Sequence, residues 1–507
     1  MEQLSTFMRE RLHKLEELTG SGVDPYPSSF RVTHEAGALV ARYREADEAA
    51  LAAAEPVRLG GRMMSLRGHG KASFAHLQDR TGRIQVYIRQ DQVGEEAYRL
   101  FKRVDVGDFL GVTGRLFRTR TSELSIQVET LTLLAKAIRP LPDKWHGLSD
   151  VEVRYRQRYV DLIANPTVAE QFRRRARIIA EIRRFFENRG FLEVETPMMH
   201  PVPGGATAKP FVTHHNALDM DLYLRIAPEL HLKRCVVGGL ERVFEINRNF
   251  RNEGLSTHHN PEFTMLEFYQ AYADYQDLMT LTEELLPAVV RSACGDERVV
   301  YQGQAISFAP PWTRLSVEEA LIRVGGLAAA DVATGESLRQ AAEARGLAFP
   351  AEWGWAKLLV ELFEALVEDK LLQPTFITDF PAELSPLAKA RPEAPRYVQR
   401  FELYVAGMEV ANAYTELNDP REQRRRFEAQ ARARVAGDEE AQPVDEDFLR
   451  ALEYGLPPTA GEGIGIDRLV MILTDAPSIR DVILFPHMRP EAGGIDADAD
   501  APPDLGR

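Results

Sequence analysis

Residues 250–269 read FRNEGLSTHHNPEFTMLEFY, in which one arginine, several acids, two histidines and a row of aromatic residues lie close together. An arginine can hold a phosphate or a carboxylate through paired hydrogen bonds, and an aromatic ring can stack on a nucleic-acid base. Residues two apart in a strand share a face, so Arg251 and Glu253 continue a polar face opposite Phe244. A second strand from Phe263 would complete a polar floor for a charged ligand. A surface hairpin with solvated charges is the alternative.

The elements that must position these residues fall into two parts. From Val57 to Lys136, short alternating runs with glycine turns and one helical segment predict five strands and a helix, which is typical of an OB-fold β-barrel. Longer segments that alternate helices with strands follow a proline-rich, basic stretch. The predicted boundaries are a helical lead-in over 1–55, the barrel over 56–137, a linker over 138–164, a larger α+β domain over 165–490 and an acidic disordered tail over 491–507.

Composition excludes several classes of protein. The 507-residue chain has 44% hydrophobic residues and a net charge of −14, and no apolar run approaches the ~20 residues of a membrane span. Its N-terminus lacks the apolar core of a signal peptide. Only Cys235 and Cys294 occur, so we expect no disulfide framework, no zinc and a reduced, cytoplasmic compartment. The segment 57–136 has fourteen Lys and Arg against eight Asp and Glu, a surplus of six that could bind a polyanion.

Several motifs resemble the class II aminoacyl-tRNA synthetases. GFLEVETPMM resembles their motif 1, RVFEINRNFRNEG followed by HNPEFTMLEFY their motif 2, and GEGIGIDRLVMIL their motif 3. PGGATAKPF, YLRIAPELHLKR, PTFITDFPAELSPLAK and EVANAYTELND are similar to the lysyl members of that class. The resemblance extends over 57–490 with every motif in order. It implies an antiparallel sheet flanked by helices beside the OB-fold barrel, ATP-dependent formation of lysyl-adenylate, and transfer of lysine to the 3′ end of tRNA(Lys).

The resemblance also implies a set of ATP-binding residues: Arg251, Glu253, His259, Phe263 and Arg468. Arg251, the candidate catalytic residue, is expected to bridge the amino-acid carboxylate and the α-phosphate. Glu253 would accept from the adenine amino group, and His259 would meet the terminal phosphates. The adenine ring would stack between Phe263 and Arg468, an arrangement that suits a cation–π contact. The alternative for Arg468 is a helix-end charge pairing with Asp467.

Magnesium is the expected companion of ATP, and it prefers oxygen ligands. The resemblance places the metal carboxylates at Glu402 and Glu409, which flank the Ala406-Gly407 turn. Strict alternation would put the two acids on opposite faces, so we expect a bulge or twist near the turn. On spacing alone they would be two unrelated surface acids.

A lysine pocket must neutralise an ammonium group at the end of a flexible stem, so it needs buried carboxylates. Three acids remain once the residues for adenine and for the metal are assigned. A pocket for aspartate would instead need basic residues. The resemblance implies that Glu267, Tyr269 and Glu416 hold the side-chain ammonium. The α-amino group would meet Glu229 and the backbone at Gly205, and the carboxylate would meet Asn412. The family commonly has Phe where this chain has Tyr414.

In the barrel, Phe74 and Gln85 lie on adjacent predicted strands with Arg67 upstream. An exposed aromatic residue can stack on an unpaired base while a glutamine reads the base edge. The resemblance implies that the three residues bind the anticodon and read its central uridine. The alternative is that Phe74 fills the barrel core.

Quaternary structure and competing functions complete the expectations. We predict a homodimer through the helix ending at Gly190 and the strand FLEVETP, since Phe185 and Phe191 extend the apolar residues beyond one core face. The other functions considered are a ligase that modifies a protein lysine, a non-catalytic RNA-binding paralogue, and an asparaginyl or aspartyl synthetase. The segment 327–355 has no assigned role.

Overall fold

The structure is a computed structural model that describes residues 5–142, 148–206, 208–435 and 443–490. The predicted disordered tail, 491–507, lies outside the described residues. The chain divides into two compact units, Met1–Ser149 and Asp150–Arg507. No helix among the described residues is long and apolar enough to cross a membrane.

The first unit is built on a closed barrel with the strand order β1-β2-β3-β5-β4, as the alternating runs predicted. Burial alternates along β3, where Ile84, Val86 and Ile88 face the interior. Leu18 and Leu39 of the N-terminal helices pack into the same core, so the lead-in belongs to this unit. Its elements are α1 Thr6–Gly20, α2 Ala36–Arg42, α3 Glu48–Ala52, β1 Val57–His69, β2 Ala72–Gln78, β3 Arg83–Arg89, α4 Gln90–Val93, α5 Glu95–Arg103, β4 Phe109–Arg118 and β5 Leu124–Ala135.

The second unit contains the larger sheet and most of the helices. Its strands are β6 Leu192–Glu193, β7 Met199–His200, β8 Val212–His215, β9 Met220–Leu224, β10 Arg242–Phe250, β11 Glu262–Ala271, β12 Arg298–Tyr301, β13 Gln304–Ser307, β14 Thr313–Ser316, β15 Thr375–Thr378, β16 Ala390–Arg391, β17 Ala394–Val398, β18 Arg400–Val405, β19 Met408–Thr415 and β20 Thr459–Gly465. Its helices are α6 Val151–Arg156, α7 Arg158–Ala164, α8 Pro166–Glu187, α9 Glu229–Val237, α10 Tyr275–Cys294, α11 Val317–Arg323, α12 Gly335–Glu343, α13 Trp355–Leu366, α14 Pro420–Val435, α15 Glu446–Glu453, α16 Ile466–Thr474 and α17 Ile479–Val482, with 3₁₀ turns at Glu368–Lys370 and Ala382–Leu384.

An eight-stranded sheet, in the order β14-β15-β18-β19-β20-β11-β10-β6, organises this unit. Its six central strands are antiparallel, and the edge strands β14 and β6 pair parallel to their neighbours. Helices α8, α10 and α16 cover one face and contribute to the main core, with Phe244 and Phe268 supplied by the sheet. This arrangement confirms the predicted sheet flanked by helices, and it leaves the polar residues of β10 and β11 on the other face.

Two predictions about local packing differ from the structure. Residues 151–164, inside the predicted linker, form helices whose buried Arg158 pairs with Asp161 and donates to the carbonyls of Arg480 and Leu484. Phe185 and Phe191 were expected to extend beyond the core, but both are buried in it. Both rings contact the ring of Phe186. The core therefore holds two aromatic residues that the helical spacing did not assign to it.

The unassigned segment 327–355 packs as part of a smaller core. Leu338 and Ala342 of α12 lie in one apolar cluster with Leu358 and Leu362 of α13. The segment therefore contributes to the packing of the second unit.

Candidate active site

A cavity of about 460 Å³ lies on the face of the eight-stranded sheet that carries the polar residues. It brings together predicted residues from the loop between β7 and β8, from α9, β11, the loop between β10 and β11, the β18–β19 hairpin and α16. Those that line the cavity are Gly205, Glu229, Arg251, Glu253, His259, Phe263, Glu267, Tyr269, Glu402, Glu409, Asn412, Tyr414 and Arg468. Glu416 is the one predicted residue of the second unit that does not.

The β10–β11 pair forms the predicted polar floor. Its antiparallel register sets Glu245 opposite Glu267 and Asn249 opposite Phe263. The first strand ends at Phe250, so Arg251 lies in the loop, where its backbone N–H donates to Pro261 O at 2.9 Å. The Arg251 guanidinium carbon lies 5.0 Å from the centre of the Phe263 ring, and its Nε has no hydrogen-bond partner among the described residues.

Arg468 faces the cavity from the first turn of α16. It donates to the backbone carbonyl of Glu409 at 2.6 Å and lies 3.3 Å from His259 Nε2. The alternative pairing with Asp467 is wrong, because that carboxylate accepts from the Thr264 backbone N–H and pairs with Arg175. Arg468 thus connects Glu409 of the β18–β19 hairpin with His259 of the β10–β11 loop.

The two predicted metal carboxylates share one face of the β18–β19 hairpin. The turn at Ala406-Gly407 has positive φ at both residues and pairs Tyr404 with Glu409, while Tyr404 shares its face with Glu402. The expectation that these acids need a bulge to share a face was wrong, because a two-residue turn reverses the alternation.

A bulge is nevertheless present at Val410, and it determines which residues of β19 share the face of the two acids. Leu403 pairs with Ala411 while the next residue pairs with Glu409, which leaves Val410 as the extra residue. Asn412 consequently lies opposite Glu402. The bulge therefore brings Asn412, and two residues later Tyr414, onto the same face as both acids.

Burial dominates the electrostatics of Glu402. It raises the pKa of Glu402 to about 7, which the nearby Arg400 opposes. The Tyr404 hydroxyl donates to Glu402 at 2.7 Å, and Arg400 pairs with the same carboxylate. Among the described residues no group of three or more His, Cys, Asp or Glu could hold a metal ion. Two carboxylates nevertheless suit Mg²⁺, which takes its other ligands from phosphates and water.

The opposite end of the cavity is lined by carboxylates held by tyrosines. The Tyr414 hydroxyl donates to Glu229 Oε1 at 2.6 Å, and the Tyr269 hydroxyl donates to Glu267 Oε1 at 2.8 Å. Burial, and then the charge of Glu229, raise the pKa of Glu267 to about 8. The Tyr414 hydroxyl, which a phenylalanine would lack, therefore adds a hydrogen bond that fixes Glu229.

Glu416 does not line the cavity, but it lies beside Gly461, which does. A Cβ atom at Gly461 would lie 2.5 Å from Glu416 Oε1 and 2.2 Å from the Tyr269 ring, so only glycine fits there. Glu416 pairs with Lys233, whose fully buried ammonium also lies 2.6 Å from Glu229 Oε1. Sequence reasoning missed Lys233, although the four-residue spacing from Glu229 on a helix was a usable signal.

In the barrel, Phe74 and Arg67 lie side by side on the outer surface. They are paired across β1 and β2, and the Phe74 ring stacks on Tyr87 of β3 at 4.4 Å. The alternative in which Phe74 fills the core is wrong, because Ala75 and Leu77 are the core residues of that strand.

Gln85 is already hydrogen-bonded. Its Nε2 donates to Glu123 at 2.8 Å, and its Oε1 accepts from Ser125 at 2.8 Å. His76 also meets Glu123, at 2.9 Å. Sequence reasoning missed Tyr87, His76 and Glu123, though alternation in β3 sets Tyr87 on the same face as Gln85.

Comparisons with known proteins agree with this architecture. Residues 150–489 match the family described as tRNA synthetases class II (D, K and N), and residues 57–134 match the family described as OB-fold nucleic acid binding domain. The chain is 57% identical to the lysine–tRNA ligase of Moorella thermoacetica, over 97% of this chain and 99% of that one. It is 56% identical to that of Magnetococcus marinus, over 94% and 96%, and 52% identical to that of Bacillus subtilis, over 96% and 98%. The chain therefore belongs to the lysine–tRNA ligase family of class II tRNA synthetases.

Proposed function

We propose that this chain activates L-lysine with ATP, forming lysyl-adenylate and pyrophosphate, and then transfers lysine to the 3′ end of tRNA(Lys). The observation that carries the proposal is the charge distribution in one cavity. Glu229 and Glu267 line one end, Arg468 lines the other, and Arg251 lies between them, near the charges of both Glu267 and Arg468. Lysine, with two ammonium groups and a carboxylate, and ATP, with its phosphates, match these two ends.

The first step is attack of the lysine carboxylate on the α-phosphorus of ATP. A bond forms between a carboxylate oxygen and phosphorus, and the bond from phosphorus to the bridging oxygen breaks, releasing pyrophosphate. Because such chemistry depends on positioning and on stabilising developing charge, Arg251 is assigned to bridge the carboxylate and the α-phosphate. Its unpartnered Nε and its place between the two ends of the cavity support this role.

The adenine and phosphate groups are assigned to the remaining residues of this end. Phe263 and Arg468 would stack on the two sides of the ring, with Glu253 accepting from its amino group and His259 meeting the terminal phosphates. Ser256 holds the His259 ring through its Nδ1 at 2.9 Å. Magnesium, when bound, neutralises phosphate charge, and Glu402 and Glu409 would hold it. No zinc is proposed.

On the amino-acid side, Glu267, Tyr269 and Glu416 are assigned to the side-chain ammonium of lysine. Glu229 and the backbone at Gly205 are assigned to the α-amino group. Asn412 would meet the carboxylate, and Tyr414 acts by holding Glu229. Among the described residues, the lysine at this acidic end, Lys233, is already paired with Glu229 and Glu416, so it is not available to an aspartate side chain.

The second step needs recognition of tRNA. We propose that the barrel binds the anticodon through Arg67, Phe74 and Gln85, and that the chain acts as a homodimer in the cytoplasm, where translation takes place. Gln85 would exchange its hydrogen bonds to Glu123 and Ser125 for bonds to a base.

ATP–pyrophosphate exchange with each of the twenty amino acids tests the proposal. Lysine alone is expected to support exchange, and Glu267→Gln is expected to raise the lysine KM. Glu284→Gln, at an exposed acid paired with Arg189, is the matched control and should behave as wild type. Exchange with aspartate or asparagine, or none with any amino acid, would refute the proposal. Lysine transfer to proteins but not to tRNA would identify the protein-modifying alternative.

A further inference from the structure

Lys233 is a fully buried lysine beside a cavity that is proposed to bind free lysine. It lies on α9, one turn after Glu229, and its ammonium contacts the carboxylates of both Glu229 and Glu416. The rings of Tyr414 and Phe448 lie 5.5 and 5.9 Å from its Nζ. A buried charge persists only when it is paired, and here the partners are two acids assigned to the substrate.

The internal hydrogen bonds use only part of each carboxylate. Glu229 accepts from Lys233 and Tyr414 through Oε1, and Glu267 accepts from Tyr269 through Oε1. Glu416 meets Lys233 through Oε2, while its buried Oε1 has no hydrogen-bond partner among the described residues. Each acid therefore has a second oxygen that its described internal bonds do not engage.

The charges of this cluster also match the substrate. When all are ionised, the three carboxylates and the ammonium of Lys233 carry two net negative charges. The substrate lysine brings two ammonium groups. Burial works against the ionised acids: it raises the pKa of Glu267 and Glu416, and Lys233 opposes the shift of Glu416. Glu229 and Glu416 together raise the pKa of Lys233 against its own burial, so Lys233 keeps its proton. Among the described residues, the titratable groups that face the cluster are Glu229 on α9, Glu245 on β10, Arg251 in the loop after β10, Glu267 and Tyr269 on β11, and Tyr414 and Glu416 at the end of β19.

We propose that Lys233 is a positioning residue for amino-acid recognition, whose ammonium orients Glu229 and Glu416 and favours the ionised form of Glu416, so that the remaining oxygens of the two acids meet the two ammonium groups of the substrate. This inference rests on the proposed function and assigns a further residue to the same site. Without Lys233, substrate binding would first have to remove an additional proton from a buried carboxylate. Lysine would then bind more weakly at neutral pH, although the site holds one positive charge fewer.

The test uses Lys233→Met in the full-length chain. We expect its lysine KM to rise at least about tenfold near pH 7, since one unit of carboxylate pKa is a tenfold change, while the ATP KM stays unchanged. The difference in lysine KM between the variant and wild type should shrink as pH rises. Calorimetric titration with lysine, repeated in buffers of different ionisation enthalpy, should show more protons released than by wild type.

The matched control is Arg234→Met, the next residue of α9, which pairs with Asp445 and Asp447 instead of the cavity acids. It disturbs the same helix but should leave the lysine KM and the proton release unchanged. A purely structural role for Lys233 predicts lower thermal stability with a wild-type lysine KM and proton release in the folded variant, and that result would overturn the proposal. Tighter lysine binding in the variant would overturn it as well.

A second comparison covers the case in which Lys233→Met does not fold. Removing both members of a buried ion pair is milder than removing one, so Glu416→Gln and Lys233→Met/Glu416→Gln differ by the lysine charge alone. The double variant should release more protons on lysine binding than the single variant, and equal release would overturn the proposal. Absence of lysine-dependent exchange in wild type would instead refute the proposed function.

Discussion

Arg251 is the residue proposed to bridge the two substrates in the cavity. Burial lowers the pKa of its guanidinium, but an arginine remains charged in proteins. Arg251→Ala is expected to reduce lysine-dependent pyrophosphate exchange at least ~10²-fold, the scale for removing one donor that stabilises developing charge. Steady-state and single-turnover assays would measure it. Arg248→Ala, at a partly exposed arginine that lies 3.8 Å from Glu262, is the control, and a near-wild-type rate in Arg251→Ala would contradict the mechanism.

Glu267 makes lysine recognition depend on pH. Its pKa is about 8 in the empty cavity because burial favours the protonated form, whereas a bound ammonium favours the carboxylate. Binding must therefore release a proton below that pKa, so the lysine KM should fall as pH rises through about 8. The trend holds while both substrate ammonium groups keep their protons. Initial rates of exchange from about pH 6 to 7.5, where the α-ammonium and the side-chain ammonium of free lysine both keep most of their protons, would measure it.

The contrasting variant is Glu267→Gln, which cannot titrate. Its lysine KM should be higher than wild type, and the part of the pH dependence that comes from Glu267 should disappear. A wild-type lysine KM that is constant across this range, or one that rises with pH, would contradict the assignment of Glu267 to an ammonium group.

At the scale of elements, alternation predicted the floor of the cavity but not its hairpin wall. Glu267 and Phe263 could be placed on one face of β11 because a regular strand has a fixed period. The register of β18 and β19 could not be predicted, because it depends on the two-residue turn and on the extra residue Val410. Motif resemblance selected Asn412 and Tyr414 without explaining how they reach the same face as Glu409.

The ion pair between Lys233 and Glu416 also could not be predicted from sequence patterns. Lys233 stands in a stretch of mixed polar and apolar residues, and its partner Glu416 lies 183 positions away in the sequence. Only the folded chain brings the two together. Glu416, predicted to line the pocket, does not line it, and its Oε1 lies beside Gly461, which does.

The outer face of the barrel is the element that should read the anticodon. Phe74 stacks on Tyr87 beside Arg67, and loss of one base stack costs about 1–3 kcal/mol, or roughly five- to a hundred-fold in affinity. Phe74→Ala should weaken charging of a tRNA with a UUU anticodon and reduce discrimination against one with its central uridine replaced. Lysine-dependent pyrophosphate exchange should stay intact, because the catalytic unit is untouched.

Phe7→Ala, at an exposed phenylalanine of α1, is the matched control and should charge both tRNAs as wild type does. Phosphate contacts carry no sequence information, so the basic surplus of the barrel cannot supply discrimination by itself. Unchanged discrimination in Phe74→Ala would mean that the barrel reads RNA through other residues.

At the scale of the whole molecule, the second unit presents apolar side chains near an open sheet edge. β6 is an edge strand of the eight-stranded sheet, and Leu192, Met198 and Met199 on and after it are about half exposed. Unpaired edges and apolar clusters mark association surfaces. Since Phe185 and Phe191 are buried in the core, these three residues replace them as the expected contacts of a homodimer.

Sedimentation of wild type and of Met198→Glu/Met199→Glu tests the dimer. Wild type is expected to sediment at twice the mass of the 57.1 kDa chain, because apolar burial favours association. The double variant should shift toward the monomer, since burying two carboxylates without partners is costly. Tyr454→Glu is the control: it adds a charge at a different, highly exposed side chain and should remain dimeric. A wild-type chain that is monomeric and fully active would show that these residues serve no dimer, and that each cavity is complete within one chain.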